Sequence, residues 1–339
     1  MVIEGHGGPE VLKMKEVPDP SVGAGQVRVR VKAVALNRLD LWVRIGWRGL
    51  RLEMPHILGS DVAGIVDEVG SEVKGIMKGD PIVLGPGVAC GRCFECLSGR
   101  DNRCAAYAIL GEHTKGGYAE LLTVPARNVF KKPDNLTFEQ AACLPLVFTT
   151  AWGMLVERAN LKTGESVLVH AAGSGVGSAA IQLAKLMGAT VIATASSDEK
   201  LERAKALGAD HVINYTREDF KTRAREITKK RGVDIVFEHT GGSTFPDSIL
   251  SLAVGGRLVT CGATSKPIAE LDLRYVFARH LSILGNTMGS LAAMVPILEH
   301  ASTGALKPVL DSTMPLDRAQ EAQARLESRA QFGKVVLVP

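Results

Sequence analysis

Val167-Leu-Val-His-Ala-Ala-Gly-Ser-Gly-Val-Gly-Ser178 is the stretch on which the fold turns. Glu165 to Ala171 reads as a buried strand, Gly173 to Gly177 as a glycine turn, and Ser178 to Gly188 as a helix with apolar residues at helical spacing and a terminal glycine. Strand, glycine turn and helix follow in the order a dinucleotide site needs. Small residues let the backbone approach a pyrophosphate, and the helix N-terminus offers unpaired N–H groups at the positive end of its dipole. The alternative is a turn that merely connects two elements. Against it stands a second strand on schedule, Thr190 to Thr194, followed by a helix from Asp198 to Gly208. Working outward, His211–Asn214, Val233–Glu238, Gly256–Gly262 and Leu281–Gly285 read as further short strands. Strands alternating with helices imply right-handed β-α-β units and a parallel sheet, so residues 146–289 are expected to form a doubly wound dinucleotide-binding domain.

The end of the second strand discriminates between cofactors. An acidic residue some 20 positions past the turn would bind the ribose 2′-hydroxyl of NAD. That slot falls at about Ala195 and holds no acid; Ser196 and Ser197 follow, with Lys200 one helical turn on. Hydroxyls and a lysine suit a 2′-phosphate, so NADPH is the expected cofactor, although Lys200 reads equally as a solvated helix charge. The pyrophosphate would lie on Gly173, Ser174, Gly175, Val176 and Gly177.

The front of the chain has a different rhythm. Residues 26–36 alternate apolar and charged, Val62–Val69 reads as another strand and Pro81–Leu84 as a third, with glycine and proline between them. This suggests a small β-rich, barrel-like domain. Into it is inserted Cys90-Gly-Arg-Cys-Phe-Glu-Cys-Leu-Ser-Gly-Arg-Asp-Asn-Arg-Cys104, a C-x2-C-x2-C-x7-C spacing. Cys90, Cys93, Cys96 and Cys104 suit a tetrahedral structural Zn²⁺, one per chain, in a lobe spanning 88–106. With four protein ligands the site is closed and should do no chemistry. An iron–sulfur cluster is also Cys₄, but its common run ends differently. A disulfide framework belongs in an oxidising compartment, and the N-terminus Met-Val-Ile-Glu-Gly-His lacks the basic and apolar regions of a signal peptide, so a cytoplasmic protein is expected. Cys143 and Cys261 lie in apolar surroundings and read as buried, inert thiols.

Composition agrees with a two-domain α/β protein. The 339 residues allow about two domains of ~150. Hydrophobic residues at 46% and charged residues at 22% exclude a disordered chain. Glycines number 36 against 16 aromatics, which favours glycine-turned α/β architecture over a helical bundle. The net charge of +4 carries no basic block, so no nucleic-acid partner is expected, and no apolar run reaches the ~18 residues of a membrane span. A small-molecule substrate is the partner expected instead.

Together, the cysteine lobe, the β-rich front and the glycine turn resemble the medium-chain dehydrogenase/reductase superfamily, closest to its quinone oxidoreductase-like branch. Other stretches that carry the likeness are His6-Gly-Gly-Pro-Glu-Val-Leu12, Ala35-Leu-Asn-Arg-Leu-Asp40, Leu58-Gly-Ser-Asp-Val-Ala-Gly64, Gly116-Gly-Tyr-Ala-Glu120, Thr150-Ala-Trp152, Lys205-Ala-Leu-Gly-Ala-Asp210, Ile213-Asn-Tyr215 and Gly333-Lys-Val-Val-Leu337. The resemblance implies a GroES-like catalytic domain, 1–145 and 290–339, joined to a Rossmann domain, 146–289, and a homo-oligomer, dimer or tetramer, formed through edge strands near 281–287. It adds Thr150 to the cofactor contacts and assigns the 2′-phosphate to Lys200 and Tyr215. The four-cysteine lobe is a departure, since the quinone oxidoreductase-like branch usually lacks it.

A second departure concerns catalysis. Zinc-dependent alcohol dehydrogenases of this superfamily hold a second, catalytic zinc. Its first ligand position falls on Asn37, the histidine position on Ser60, the third on Leu146, and the proton-relay hydroxyl on Leu39. Asn37 and Ser60 are poor zinc ligands and Leu146 is none. Without a Lewis acid for an alkoxide, alcohol oxidation becomes unfavourable. Hydride transfer from NADPH to a quinone or an activated C=C or carbonyl group remains, with Asn37, Asp40 and Ser60 as catalytic residues. Asn37 would orient the nicotinamide or the acceptor oxygen, and Asp40 reads equally as a structural hydrogen bond to backbone. A zinc enzyme with atypical ligands drawn from Asp40, Asp61 and His56 and a non-enzymatic NADPH-binding protein are the alternatives. His56 and His113 read as packing histidines.

Overall fold

The computed structural model describes all residues from Met1 to Pro339. They fall into two compact units, Met1–Leu146 with Ser290–Pro339, and Val147–Gly289.

The first unit opens with β1 (Gln26–Ala35), β2 (Asp61–Val69), β3 (Pro81–Leu84), β4 (Gly87–Val88), β5 (Ala108–Ile109), β6 (Leu121–Pro125) and β7 (Val129–Lys131). The alternation read in β1 has a physical basis. Val27, Val29 and Val31 are buried, while Arg28 and Arg30 leave the opposite face and pair with Asp67 of β2 at 2.7 and 3.0 Å. The second unit contains β8 (Ser166–Val169), β9 (Thr190–Ala195), β10 (His211–Asn214), β11 (Val233–Glu238), β12 (Leu252–Thr260) and β13 (Ser282–Gly285). The chain then returns to the first unit with β14 (Leu310–Pro315) and β15 (Lys334–Val338).

In the first unit the sheet order is β14-β15-β1-β2-β3-β7, with β6 also paired to β1. β1 is antiparallel to β15 at its C-terminal end (Val34 opposite Leu337) and to β6 at its N-terminal end (Gln26 opposite Pro125). The lobe carrying the cysteines lies between β4 and β5, which pair with each other as a separate two-stranded sheet.

The second unit is a six-stranded sheet, all parallel, in the order β10-β9-β8-β11-β12-β13. Counted along the unit this is 3-2-1-4-5-6, the doubly wound dinucleotide-binding order, with its reversal between β8 and β11. β8 is buried along its whole length, as a central strand covered on both faces must be. Leu168, Ile192, Ile213, Val236 and Leu258 join neighbouring strands in one apolar layer.

Two boundaries differ from the sequence reading by more than two residues. The helix after the glycine turn is Gly175–Leu186 and begins inside the turn, because Ser174 caps it. β12 begins at Leu252, where the helix Phe245–Ser251 runs straight into the strand, four residues before the expected start.

Candidate active site

The nucleotide turn is built from its own residues. Ser174 donates its hydroxyl to the Ala171 carbonyl at 2.8 Å and accepts the Gly177 N–H at 2.9 Å. Gly177 has no room for a side chain, since a Cβ there would sit 2.4 Å from the Ala171 oxygen. With Gly177 satisfied by Ser174, the first-turn N–H groups of Gly175 and Val176 have no intrahelical carbonyl to reach, the arrangement that receives a pyrophosphate. Thr150 is buried in the same unit, with its hydroxyl 3.8 Å from the Met288 sulfur.

At the other end of the expected cofactor, β9 stops at Ala195 and Ser196 is exposed. The Ser197 hydroxyl caps the next helix, Asp198–Ala206, by accepting the Lys200 N–H at 3.4 Å. β10 ends in register with β9, Asn214 opposite Ala195, and the Tyr215 N–H donates to the Ala195 carbonyl at 3.2 Å. Ser196, Ser197, Lys200 and Tyr215, 19 positions apart from first to last, are thereby gathered around one strand end.

A third group was not visible in the sequence. His170, immediately before the turn, is fully buried; its ring bonds the Thr194 hydroxyl at 3.2 Å and the Ser248 hydroxyl at 2.9 Å. Ser248 donates in turn to Glu238, which also accepts from the Thr240 and Gly241 N–H groups and the Thr244 hydroxyl. Burial holds the His170 pKa below its ordinary value, against the raising effect of Glu238. The network ties the ends of β8, β9 and β11 together beneath the turn. Its signal lay only in polar residues at strand ends, which spacing alone does not pair.

In the first unit, the residues expected to act on substrate sit in a dry polar cluster. Lys334 on β15 donates to the Asn37 Oδ1 at 2.5 Å and to Asp61 Oδ2 at 2.8 Å, and the Asn37 amide donates to the same Asp61 oxygen at 2.9 Å. The other Asp61 oxygen accepts the Leu146 N–H at 2.7 Å. Asp40 accepts the Asn37 N–H at 2.6 Å and the Gly59 N–H at 3.0 Å. Burial pushes the Asp40 carboxyl up to about 7, against the lowering effect of those N–H groups and of Lys334. Ser60 is also fully buried, and its hydroxyl has no hydrogen-bond partner. Asn37 and Asp40 are thus committed to protein groups, while the Ser60 hydroxyl is uncommitted. Burial raises the Cys143 thiol, behind this cluster, to about 12, and the Cys261 thiol in the second unit likewise to about 12. His56 bonds the Gly111 carbonyl at 3.1 Å, and His113 accepts the Ile109 N–H at 3.2 Å, so both pack against backbone.

The metal chemistry of the two cysteine and asparagine regions differs. Sγ of Cys90, Cys93, Cys96 and Cys104 lie within 4.8 Å of one another, with neighbouring pairs at 3.5–3.9 Å. A tetrahedron of four sulfurs ~2.3 Å from zinc has edges of about 3.8 Å, so these residues fit the ion. The Arg92 and Cys93 N–H groups pull Cys90 down to about 6, which favours its thiolate. The second site does not fit. Asn37 is already held by the Lys334 ammonium and the Asp61 carboxylate, Leu146 reaches that carboxylate only through its backbone N–H, and no thiolate or imidazole joins them.

A doubly wound parallel sheet with a glycine turn and, in the other unit, a four-thiol lobe form the combination expected of a nicotinamide-dependent oxidoreductase. Comparison with known proteins agrees. Residues 23–134 match the alcohol dehydrogenase GroES-like domain model, and 175–303 match the zinc-binding dehydrogenase model. A zinc-type alcohol dehydrogenase-like protein of Schizosaccharomyces pombe is 35% identical over 97% of this chain and 96% of its own. The quinone oxidoreductase of Rattus norvegicus is 30% identical (98% and 95%), and an acryloyl-coenzyme A reductase of Sulfurisphaera tokodaii 32% identical (96% of each). A crystal structure of an NAD-dependent alcohol dehydrogenase superposes with a TM-score of 0.97 at 50% identity, covering 100% of this chain and 98% of that one. The chain belongs to the medium-chain dehydrogenase/reductase superfamily and is an oxidoreductase of that family.

Proposed function

We propose that this protein is an NADPH-dependent reductase that delivers hydride to a quinone or to an activated C=C or carbonyl acceptor without a catalytic metal. One observation carries the reading: Asn37 is engaged by Lys334 and Asp61, and neither it nor Ser60 nor Leu146 is a good zinc ligand. Such acceptors are electrophilic already and need no Lewis acid, in contrast to an alcohol that must lose a proton. The names of the rat quinone oxidoreductase and the archaeal acryloyl-coenzyme A reductase belong to the same acceptor classes.

Bound NADPH supplies the hydride, and solvent supplies the proton that completes reduction. The chain's own residues bind and orient. Gly173, Ser174, Gly175, Val176 and Gly177 receive the pyrophosphate, with Thr150 as a further contact. Ser196, Ser197, Lys200 and Tyr215 receive the 2′-phosphate. Asn37 and Asp40 act as positioning residues, and Ser60 offers the free hydroxyl. The unit 1–145 with 290–339 is the catalytic domain and 146–289 the cofactor domain. Cys90, Cys93, Cys96 and Cys104 hold one structural zinc as thiolates, which suits a reducing, cytoplasmic setting. No helix is long and apolar enough to cross a membrane. β13 pairs only with β12, and its open edge is the surface through which a dimer would form.

The test is turnover of NADPH with quinones and enones beside zinc counting. Reduction of at least one acceptor class with about one zinc per chain supports the reading. About two zincs per chain with metal-dependent alcohol oxidation supports the second reading, a zinc-dependent alcohol dehydrogenase, which the likeness to the NAD-dependent enzyme favours. For the cofactor, a Lys200→Ala, Tyr215→Phe double variant should lose its NADPH-over-NADH preference; an unchanged ratio removes the 2′-phosphate assignment.

A further inference from the structure

We propose that Arg217, through its ion pair with Asp198, is a specificity-determining residue for the 2′-position of the cofactor ribose. The inference rests on the NADPH reading above and adds to it two residues of opposite charge.

The placement follows from the ends of β9 and β10. Because Asn214 lies opposite Ala195 and the Tyr215 N–H bonds the Ala195 carbonyl, the segment after β10 crosses the end of β9. That crossing brings residues 214–217 to the start of the helix Asp198–Ala206. Asp198 Oδ1 accepts from the Asn214 amide at 3.1 Å, and its other oxygen lies 2.9 Å from an Arg217 guanidinium nitrogen. The acid slot at Ala195 is empty, yet a carboxylate three residues on stands at the same strand end, with a guanidinium fastened to it. The nearby Glu218 is engaged elsewhere, 2.8 Å from Arg223.

Both members of the pair are well exposed, 66% for Arg217 and 63% for Asp198. An ion pair so open to water is weak, and salt weakens it further. A 2′-phosphate offers more negative charge than one carboxylate and oxygens spaced for the planar guanidinium fork. When it arrives, exchanging one anion for the other costs Arg217 little. When it is absent, Arg217 stays on Asp198 and masks a carboxylate that would otherwise stand ready for a ribose 2′-hydroxyl. One arginine therefore acts twice in the same direction: it attracts the phosphate, and it neutralises the acid that would repel it.

The test uses the full chain with 2′,5′-ADP and 5′-AMP, which differ only in the phosphate in question, titrated calorimetrically. Arg217→Ala is expected to lower the ratio of 2′,5′-ADP to 5′-AMP affinity about tenfold, the loss of one good charged contact. Asp198→Asn should raise the ratio. Arg217→Lys, which keeps the charge but not the fork, should fall between. Circular dichroism of each variant checks that the fold is intact. An Arg217→Ala chain with the parent's ratio overturns the inference. Failure of the NADPH reading is seen elsewhere, as a parent chain that binds 2′,5′-ADP no tighter than 5′-AMP. The two failures are distinguishable, since one compares ligands on one chain and the other compares chains.

Discussion

Lys334 is the residue with most at stake. Its ammonium and the Asp61 carboxylate are both almost without solvent, and Asn37 bridges them. Lys334→Met would leave a buried, unpaired carboxylate, and is expected to cost about 3–5 kcal/mol by denaturant unfolding. In an Asp61→Asn background the same change should cost far less; equal losses in the two backgrounds would mean the pair does not share its charge. Asp40 makes a separate prediction. Its pKa in the fold is about 7 against 3.8 for the free side chain. A carboxyl that holds its proton more tightly when folded contributes stability that is complete below pH ~4 and lost as pH rises through ~7. Asp40→Asn should flatten this part of the stability–pH curve, measured as unfolding midpoint against pH.

At the scale of elements, the nucleotide turn and the cysteine lobe each depend on one local device. Gly177→Ala would push a methyl into the Ala171 carbonyl, displacing the helix start. The expected result is about tenfold weaker NADPH binding by fluorescence titration, with a stability loss of about 1–3 kcal/mol. Unaltered binding would show that the turn need not hold its present shape. The lobe has little apolar content, and its helix Phe94–Leu97 exposes both Phe94 and Leu97. It is tied to the first unit by Asp101, which accepts the Leu291 N–H at 2.9 Å. Cys93→Ser should therefore empty the zinc site and open residues 88–106 to limited proteolysis, leaving the parallel sheet protected. A lobe that resists protease without zinc would contradict a structural role for the metal.

For the whole molecule, the prediction is a stoichiometry. On the proposed reading, a chain with one fitting four-thiol site, and with Asn37 engaged by Lys334 and Asp61, should carry about one zinc after growth in zinc-rich medium. Much of this architecture was legible in advance. Local period and spacing placed β1, the glycine turn and the alternating strands, because burial on one face or both leaves its mark within a few residues. The helix start at Gly175 was misplaced because a cap hydrogen bond, not hydrophobic period, sets it. The His170–Ser248–Glu238 network went unseen because its members come from three separate segments.

By itself, then, the sequence determined the class of protein: the glycine turn of the dinucleotide sheet and the four-thiol lobe are each a pattern complete within a short stretch. Only the tertiary structure decided that Lys334 joins Asn37 and Asp61 in one buried cluster and that Arg217 pairs with Asp198. Lys334 and Asn37 are 297 residues apart, and Arg217 meets Asp198 only because β10 lies beside β9. Charges find their partners through the register of strands and the return of the chain end, and a one-dimensional pattern carries neither.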